Sequence, residues 1–397
     1  RSPYAHAKIL KINVEAARQA EGVVGIVTAA EIGPVGTIPM RTGQVEGLER
    51  TQQYPLASDK VRYVGDPIAI LVAENRYLAE DALELIEVEY DPLGAVVDTM
   101  EAIKPGAPVL HEGVGDNVPG HFVVDVGDFD SALKQADEIL EEEFSTQRHA
   151  AVPLETRGLI AEFDESRGVI SVWGPTKVIH TNRIILSELL GLPEGCIHLM
   201  EPDVGGGFGA RGEFYPEDLA IPFTAKYLRK PVCWIEDRSE NLKAMNHSRE
   251  QRHFVKVVLK RDGAILGVED KLYFNMGAYT RTHGGVPAVS ASAMLRGPYR
   301  IKNYRCHASC VLTNKTPAGT YRSPGRYEAA FVRERIIDLV AHRLGLDPAD
   351  VRRKNFIQPY EMPYNFGPHK YHDTIYDSGN YPGMLEKVLA KIDYPAI

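Results

Sequence analysis

The sequence predicts an α+β chain in which a smaller N-terminal unit precedes a larger, mixed one. Segments with the two-residue alternation of half-buried strands occur both as hairpins and between segments of helical period, which a purely parallel sheet does not produce. At 397 residues the chain has room for two or three domains. Composition shifts between residues 104 and 128, where Pro105, Gly106, Pro108, Gly113, Gly115, Pro119, Gly120 and Gly127 cluster as in an interdomain connection. These observations set the first unit at 1–105, a linker at 106–128 and the second unit at 129–397.

In the first unit, Val14–Ala20 has the period of a short amphipathic helix and Gly25–Thr28 reads as a strand. Residues 37–55 are polar and weakly patterned, which predicts a long loop. Asp66–Ala73 is a buried strand run, Arg76–Leu83 is helical, and Ile86–Tyr90 alternates as a half-exposed strand. In the second unit, Leu159–Trp173 predicts a hairpin turning at Ser166-Arg167-Gly168. A second hairpin, Phe254–Tyr273, turns at Arg261-Asp262-Gly263. Thr181–Leu190 predicts a helix stopped by Gly191, and Pro216–Leu228 another. Arg326–Leu344 is the longest predicted helix. Gly345 ends it by accepting a left-handed conformation, and Pro348, which needs no N–H partner in a first turn, opens the next. Gln358–Asp377 carries His369 and His372, three apart; a metal pair is one reading, but with no regular element to fix them a solvated linker is favoured, and Met384–Lys391 follows as a last helix.

Composition is ordinary for a globular protein, and no apolar run is long enough to span a membrane. A formal charge of −9 argues against nucleic acid as the main partner, because phosphate binding normally shows as a basic face. Cys196, Cys233, Cys306 and Cys310 are too few to staple such a chain, so a reducing, cytoplasmic setting is expected. Cys306 and Cys310 flank His307. Two readings stand for them: a metal or redox pair, or two small packed residues on one face of a strand over Tyr304–Leu312. The alternation favours packing. The opening Arg1–Lys8 lacks the features of a signal peptide and reads as a truncated start.

The strongest local feature is Asp203-Val204-Gly205-Gly206-Gly207-Phe208-Gly209-Ala210-Arg211-Gly212-Glu213. Glycines admit positive φ and let backbone N–H groups approach a ligand, and the following helix adds its positive end. An anionic group suits such a loop; a tight turn under a crossing strand is the structural alternative. No Gly-Lys-Ser/Thr follows, and no dinucleotide fingerprint is present. The second feature is Thr313–Glu328, a polar loop with Arg322 and Arg326 at the mouth of the long helix. Cations there oppose the helix dipole, so they either pair with Glu328 or another acid, or hold an anion.

These two loops, in this order and spacing, resemble the molybdopterin-binding large subunit of the xanthine oxidase family, in the branch that includes aerobic CO dehydrogenase. Arg1-Ser2-Pro3-Tyr4-Ala5-His6-Ala7 resembles the opening of that family's hammerhead domain. Arg296–Ile301, Leu344–Pro348 and Arg352–Asn355 are also similar to family segments. The resemblance covers nearly the whole chain. It implies a hammerhead-like domain over 1–105 and a first molybdopterin-binding domain over 129–397. It implies molybdopterin, in its plain or cytosine dinucleotide form, with molybdenum. It also implies hydroxylation of a small molecule, an aldehyde or N-heterocycle, with water as the oxygen source. Electrons would leave through 2Fe–2S and FAD partner subunits. Carried over residue by residue, the Phe208 amide, flanked by Gly206, Gly207 and Gly209, approaches an oxo ligand, and Arg322 contacts the cofactor edge.

The sequence departs from the family pattern at four places. Where the family often has Gln, within Gly174-Pro175-Thr176-Lys177, Lys177 stands, so a neutral contact becomes cationic. After Tyr321-Arg322 the CO dehydrogenases have the copper-bridging Cys; Ser323 is a poor soft-metal ligand, so CO oxidation is not expected. Xanthine-type enzymes place a stacking Phe where Pro324 stands, and their purine-contacting acid aligns with Gly212, one position before Glu213, so purine oxidation is not expected. The family's general base lies later in the subunit, beyond Ile397, so the base and much of the pocket are expected from another polypeptide that carries the second molybdopterin domain. Glu155 is a candidate replacement only if it faces the pocket; a structural ion pair is favoured. The competing readings are a cofactor-free scaffold that kept the fold, and an unrelated phosphate- or nucleotide-binding enzyme resting on the glycine-rich loop alone.

Overall fold

A computed structural model describes residues 1–43, 45–174, 177–368 and 373–394, so His369 and His372 lie outside the described residues. Helices and strands mix in both units, as the α+β prediction requires. The larger unit is built on two sheets. In the first, the strand order is Gly120–Val126, Asn303–Leu312, Ile265–Gly277, Gln251–Leu259 and Glu138–Thr146. Only Ile265–Gly277 and Asn303–Leu312 run parallel. Its alternation buries Val257, Leu272 and Phe274 against Val332, Ile336 and Val340 of helix Arg326–Leu344. Each such side chain contributes roughly 1.5–3 kcal/mol by leaving water. Cys306 and Cys310 are both fully buried in this core, on one face of the strand as its alternation predicts.

The second sheet has the order Ile197–Met200, Val169–Trp173, Gly158–Asp164 and Val232–Ile235. Here only Val169–Trp173 and Ile197–Met200 are parallel. Helices Ile179–Leu190 and Pro216–Leu228 cover it, burying Ile170, Leu186, Ile197 and Leu219. Pro216 opens the second helix, and the Asp218 carboxylate accepts the Tyr215 N–H at 2.7 Å, which caps it.

The first unit pairs Lys60–Val61, Ala7–Asn13 and Glu87–Pro92 in one small sheet and Val23–Thr28 with Ala69–Ala73 in another. Helix Arg76–Leu83 follows, capped where Asn75 accepts the Leu78 N–H at 3.1 Å. The two units share a core: Ile38, from the weakly patterned stretch, and Ile70 and Val72 pack with the second sheet.

Two segments differ from the sequence reading. The 106–128 stretch ends in strand Gly120–Val126, the edge of the five-stranded sheet, so its prolines and glycines mark turns before a strand. Gln358–Asp377 is not a solvated linker. Tyr364–Pro368 pairs with Asp373–Tyr376, and Phe366 is buried against the Arg296 guanidinium at 4.6 Å. Aromatic burial holds this hairpin, and the polar residues around it obscured the pattern.

Candidate functional site

Two loops converge on each other, and each leaves a strand of a parallel pair and enters a long helix. The glycine-rich loop runs from Ile197–Met200 to Pro216–Leu228; the second runs from Asn303–Leu312 to Arg326–Leu344.

In the first loop, Gly206 and Gly209 have φ of +107° and +101°, which side chains with a Cβ rarely adopt. Phe208 itself has φ of +49°. Among the described residues, the N–H groups of Gly206, Gly207, Phe208 and Gly209 donate to no protein acceptor, which leaves four consecutive free donors. Gly205 N–H instead donates to Glu155 Oε2 at 2.8 Å. Arg211 braces the same turn, donating to Gly206 O at 2.6 Å and to Glu155 O and Oε2 at 2.7 and 2.9 Å. The Glu155 carboxylate is thus committed to an ion pair that shapes the loop, which is the structural role favoured for it.

In the second loop, Arg322 N–H donates to Phe208 O at 2.7 Å and the Thr320 hydroxyl to Gly209 O at 3.1 Å, so the loops are hydrogen-bonded to each other. Arg249 holds this loop. Its guanidinium donates to Arg322 O and Ser323 O and pairs with the buried Glu328 at 3.2 Å. It lies over the Tyr321 and Tyr327 rings at 4.8 and 4.6 Å. Burial pushes the Glu328 carboxyl up, and Arg249 only partly offsets it. The acid available to Arg322 and Arg326 is therefore taken. Among the described residues, both guanidiniums are exposed with no ion pair or side-chain hydrogen bond.

Glu213 joins the two loops. It is 1% exposed and accepts from the Thr282 hydroxyl, from His283 N–H at 3.2 Å and from Thr320 N–H at 3.3 Å. His283 Nδ1 lies 2.6 Å from its Oε1. Burial alone would raise this carboxyl, but His283, Thr282 and Arg281 overcome it and hold the group down at about 2. A Cβ at Gly319 would overlap Glu213 Oε1, so only glycine lets the carboxylate reach Thr320. On the far side of the ring, Arg41 donates to His283 Nε2 at 3.0 Å and to Gly212 O at 2.6 Å. Arginine cannot accept, so Nε2 does, and the ring proton sits on Nδ1 facing Glu213. Glu213, His283, Arg41 and Gly212 thereby close a ring that ties the first unit to the glycine-rich loop.

Between the loops lies an open groove of about 550 Å³, lined by Lys177, Phe208, Arg211, His283, Arg322 and Pro324 among others. Gly207, Phe208, Gly209 and Arg322, named from the sequence, come together on it; Gly206 lies beside them as an Arg211 acceptor. Lys177 N–H meets Arg211 O at 3.4 Å, and its side chain is exposed on the groove; Pro175 and Thr176 before it lie outside the described residues. Sequence reasoning missed His283, Arg41 and Arg249. His283 precedes Gly284-Gly285, a glycine pair that signals a close approach; Arg41 and Arg249 carried no local signal. Among the described residues no His, Cys, Asp or Glu group is arranged to hold a metal ion by itself. No helix among them is long and apolar enough to cross a membrane.

Comparison with known proteins adds the following. Residues 110–356 match the molybdopterin cofactor-binding domain, and residues 1–94 match the aldehyde oxidase and xanthine dehydrogenase a/b hammerhead domain. The chain is 36% identical to the 6-hydroxypseudooxynicotine dehydrogenase complex subunit gamma of Paenarthrobacter nicotinovorans, over 99% of the chain and 50% of that protein. It is 33% identical to the carbon monoxide dehydrogenase large chain of Hydrogenophaga pseudoflava, over 100% of the chain and 50% of that protein. Among solved structures it superposes on quinoline 2-oxidoreductase from Pseudomonas putida 86 with a TM-score of 0.92 at 30% identity, covering 100% of this chain and 50% of that one. The chain thus spans about half the length of the relatives it matches.

Proposed function

The chain belongs to the molybdopterin-binding large-subunit family of the xanthine and aldehyde oxidoreductases and aerobic CO dehydrogenases, and from that membership we propose that it carries one wall of a molybdenum-cofactor site. The whole enzyme would be a multi-subunit hydroxylase acting on an aldehyde or an N-heterocycle with water as oxygen source. A relative named for 6-hydroxypseudooxynicotine and a structure named for quinoline support the heterocycle. The single observation that carries the reading is the run of four free N–H groups over Gly206–Gly209, held beside the unpaired Arg322. That donor set fits the anionic oxygens of such a cofactor: backbone donors give close approach, and a guanidinium gives planar, charge-assisted contacts. None of the groove-lining side chains is a carboxylate, so nothing there repels an anion.

Gly206, Gly207, Phe208, Gly209 and Arg322 would hold the cofactor, in its plain or cytosine dinucleotide form. When bound it supplies the redox chemistry of an oxidative hydroxylation. This chain's own residues bind and orient. The Glu213 ring and the Arg249–Glu328 pair fix the two loops before the ligand arrives, which lowers the ordering cost of binding. Glu155 is engaged with Gly205 and Arg211, so the general base is assigned to the half of the relatives' length that this chain does not match. Iron–sulfur and FAD subunits would complete the electron path, in the cytoplasm.

The test is Arg322→Met in the complete complex. Bound molybdenum and pterin should fall at least about tenfold while the circular dichroism spectrum is unchanged. Full cofactor content in that variant would contradict the assignment.

A further inference from the structure

Three side chains on the groove wall carry positive charge: Lys177, Arg211 and Arg322. Arg211 is paired with Glu155 at 2.9 Å. The other two have no counter-charge among the described residues. They flank the glycine-rich loop at different points: Arg322 N–H meets Phe208 O, and Lys177 N–H meets Arg211 O, three residues further on. One anionic ligand beside Phe208 accounts for Arg322. It leaves the Lys177 ammonium at the far end of the loop without a partner.

The surroundings of Lys177 make its position specific. Its Cδ lies 3.6 Å from where a Cβ at Gly212 would sit, and the His283 ring lies 3.3 Å from the same point. The lysine stem thus lies beside Gly212 and the His283 ring on the wall. Glu213, which follows Gly212, is buried and saturated by Thr282, His283 and Thr320, so it cannot turn outward to neutralise the ammonium. Arg41 is held by Gly212 O and His283 Nε2 and adds positive charge. Phe208 and Pro324 supply the apolar part of the wall. A flat ring with one anionic substituent matches this arrangement: apolar wall for the ring, ammonium for the charge.

Resting on the reading of the groove as the cofactor and substrate site, we propose that Lys177 selects the substrate, and that the class selected is an aromatic or heteroaromatic acid whose carboxylate pairs with the Lys177 ammonium. The shared anion chemistry has a second source, a phosphate of the cofactor, and the test separates the two. The complete complex is titrated with pyridine-3-carboxylate and with pyridine-3-carboxamide, and binding is followed by thermal shift and by protection of the groove in hydrogen exchange. The unmodified complex should prefer the carboxylate by about tenfold or more. Lys177→Gln should bring the ratio near one, Lys177→Arg should restore most of it, and molybdenum and pterin content should be unchanged in both. Equal binding of the two probes by the unmodified complex, or a preference that survives Lys177→Gln, overturns the proposal. So does loss of cofactor in Lys177→Gln, which would assign the lysine to the cofactor. Absence of molybdenum and pterin from the unmodified complex is the separate failure of the underlying function.

Discussion

The two loops on the groove have the same ancestry in the fold, each leaving a strand of a parallel pair for a long helix, yet they are held in opposite ways. The glycine-rich loop is shaped by an exposed acid, Glu155 at 42%, and keeps four backbone donors free. The Arg322 loop is shaped from inside by Arg249 and the fully buried Glu328, and its free donor is a side chain. The first therefore presents backbone N–H groups to the groove, and the second an exposed side-chain charge. Glu213 touches both loops' framework, following the first in sequence and accepting from Thr320 of the second.

The comparison can be broken hardest at Glu213. Glu213→Leu leaves the N–H groups of His283 and Thr320 buried without an acceptor, and should cost on the order of 4 kcal/mol in denaturant unfolding. Hydrogen exchange should show both loops loosened together; loosening of one alone would deny Glu213 its joining role.

Acid pH tests the same residue without mutation. Glu213 is held at about 2 against its ordinary 4.5. A depressed carboxyl contributes stability that is present above 4.5 and lost as pH falls toward 2, on the order of 3 kcal/mol in all. Glu328 is raised, so its contribution runs the other way, full at low pH and lost as pH rises through its folded value. Glu328→Gln should therefore remove the loss of stability as pH rises above the ordinary 4.5 and leave the acid limb below it, which belongs to Glu213; an unchanged slope above 4.5 would contradict the opposed shifts.

Arg249→Met sharpens the contrast. Glu328 is already pushed up and can escape its lost partner by taking a proton, so the cost should be near 2 kcal/mol, below that of a pair with no such escape. Exchange should rise at the Arg322 N–H and not at the Gly205 or Ala210 N–H, and a rise at all three would show that the loops are not held separately. The smallest effect belongs to Glu155→Gln. Its half-exposed carboxylate is screened, so global stability should move by less than about 1 kcal/mol, while the Gly205 N–H loses protection. A larger global loss would make Glu155 a core element.

The fold was legible where periodicity is strong. Arg76–Leu83, Pro216–Leu228 and Arg326–Leu344 read to the residue, because caps and apolar stripes agree there. Helix Val286–Met294 gave no stripe: its alanines, valines and serines are buried nearly all round, so no amphipathic period survives. The hairpin at Tyr364–Tyr376 was hidden because its burial comes from one phenylalanine on an arginine. In the site, the glycines and Arg322 were readable as local motifs. His283, Arg41 and Arg249 were not, because each reaches the loops from a distant element through a single long side chain. The assignment of Glu155 to an ion pair agrees with its contacts, but its partner Arg211, embedded in the glycine motif, was not singled out.

The most direct test of the central claim is molybdenum and pterin analysis of the complex purified from its native host with every chain that accompanies this one. One molybdenum and one pterin per copy of this chain is the predicted result. A complete complex with neither would contradict it and leave the groove as a fold retained without its chemistry.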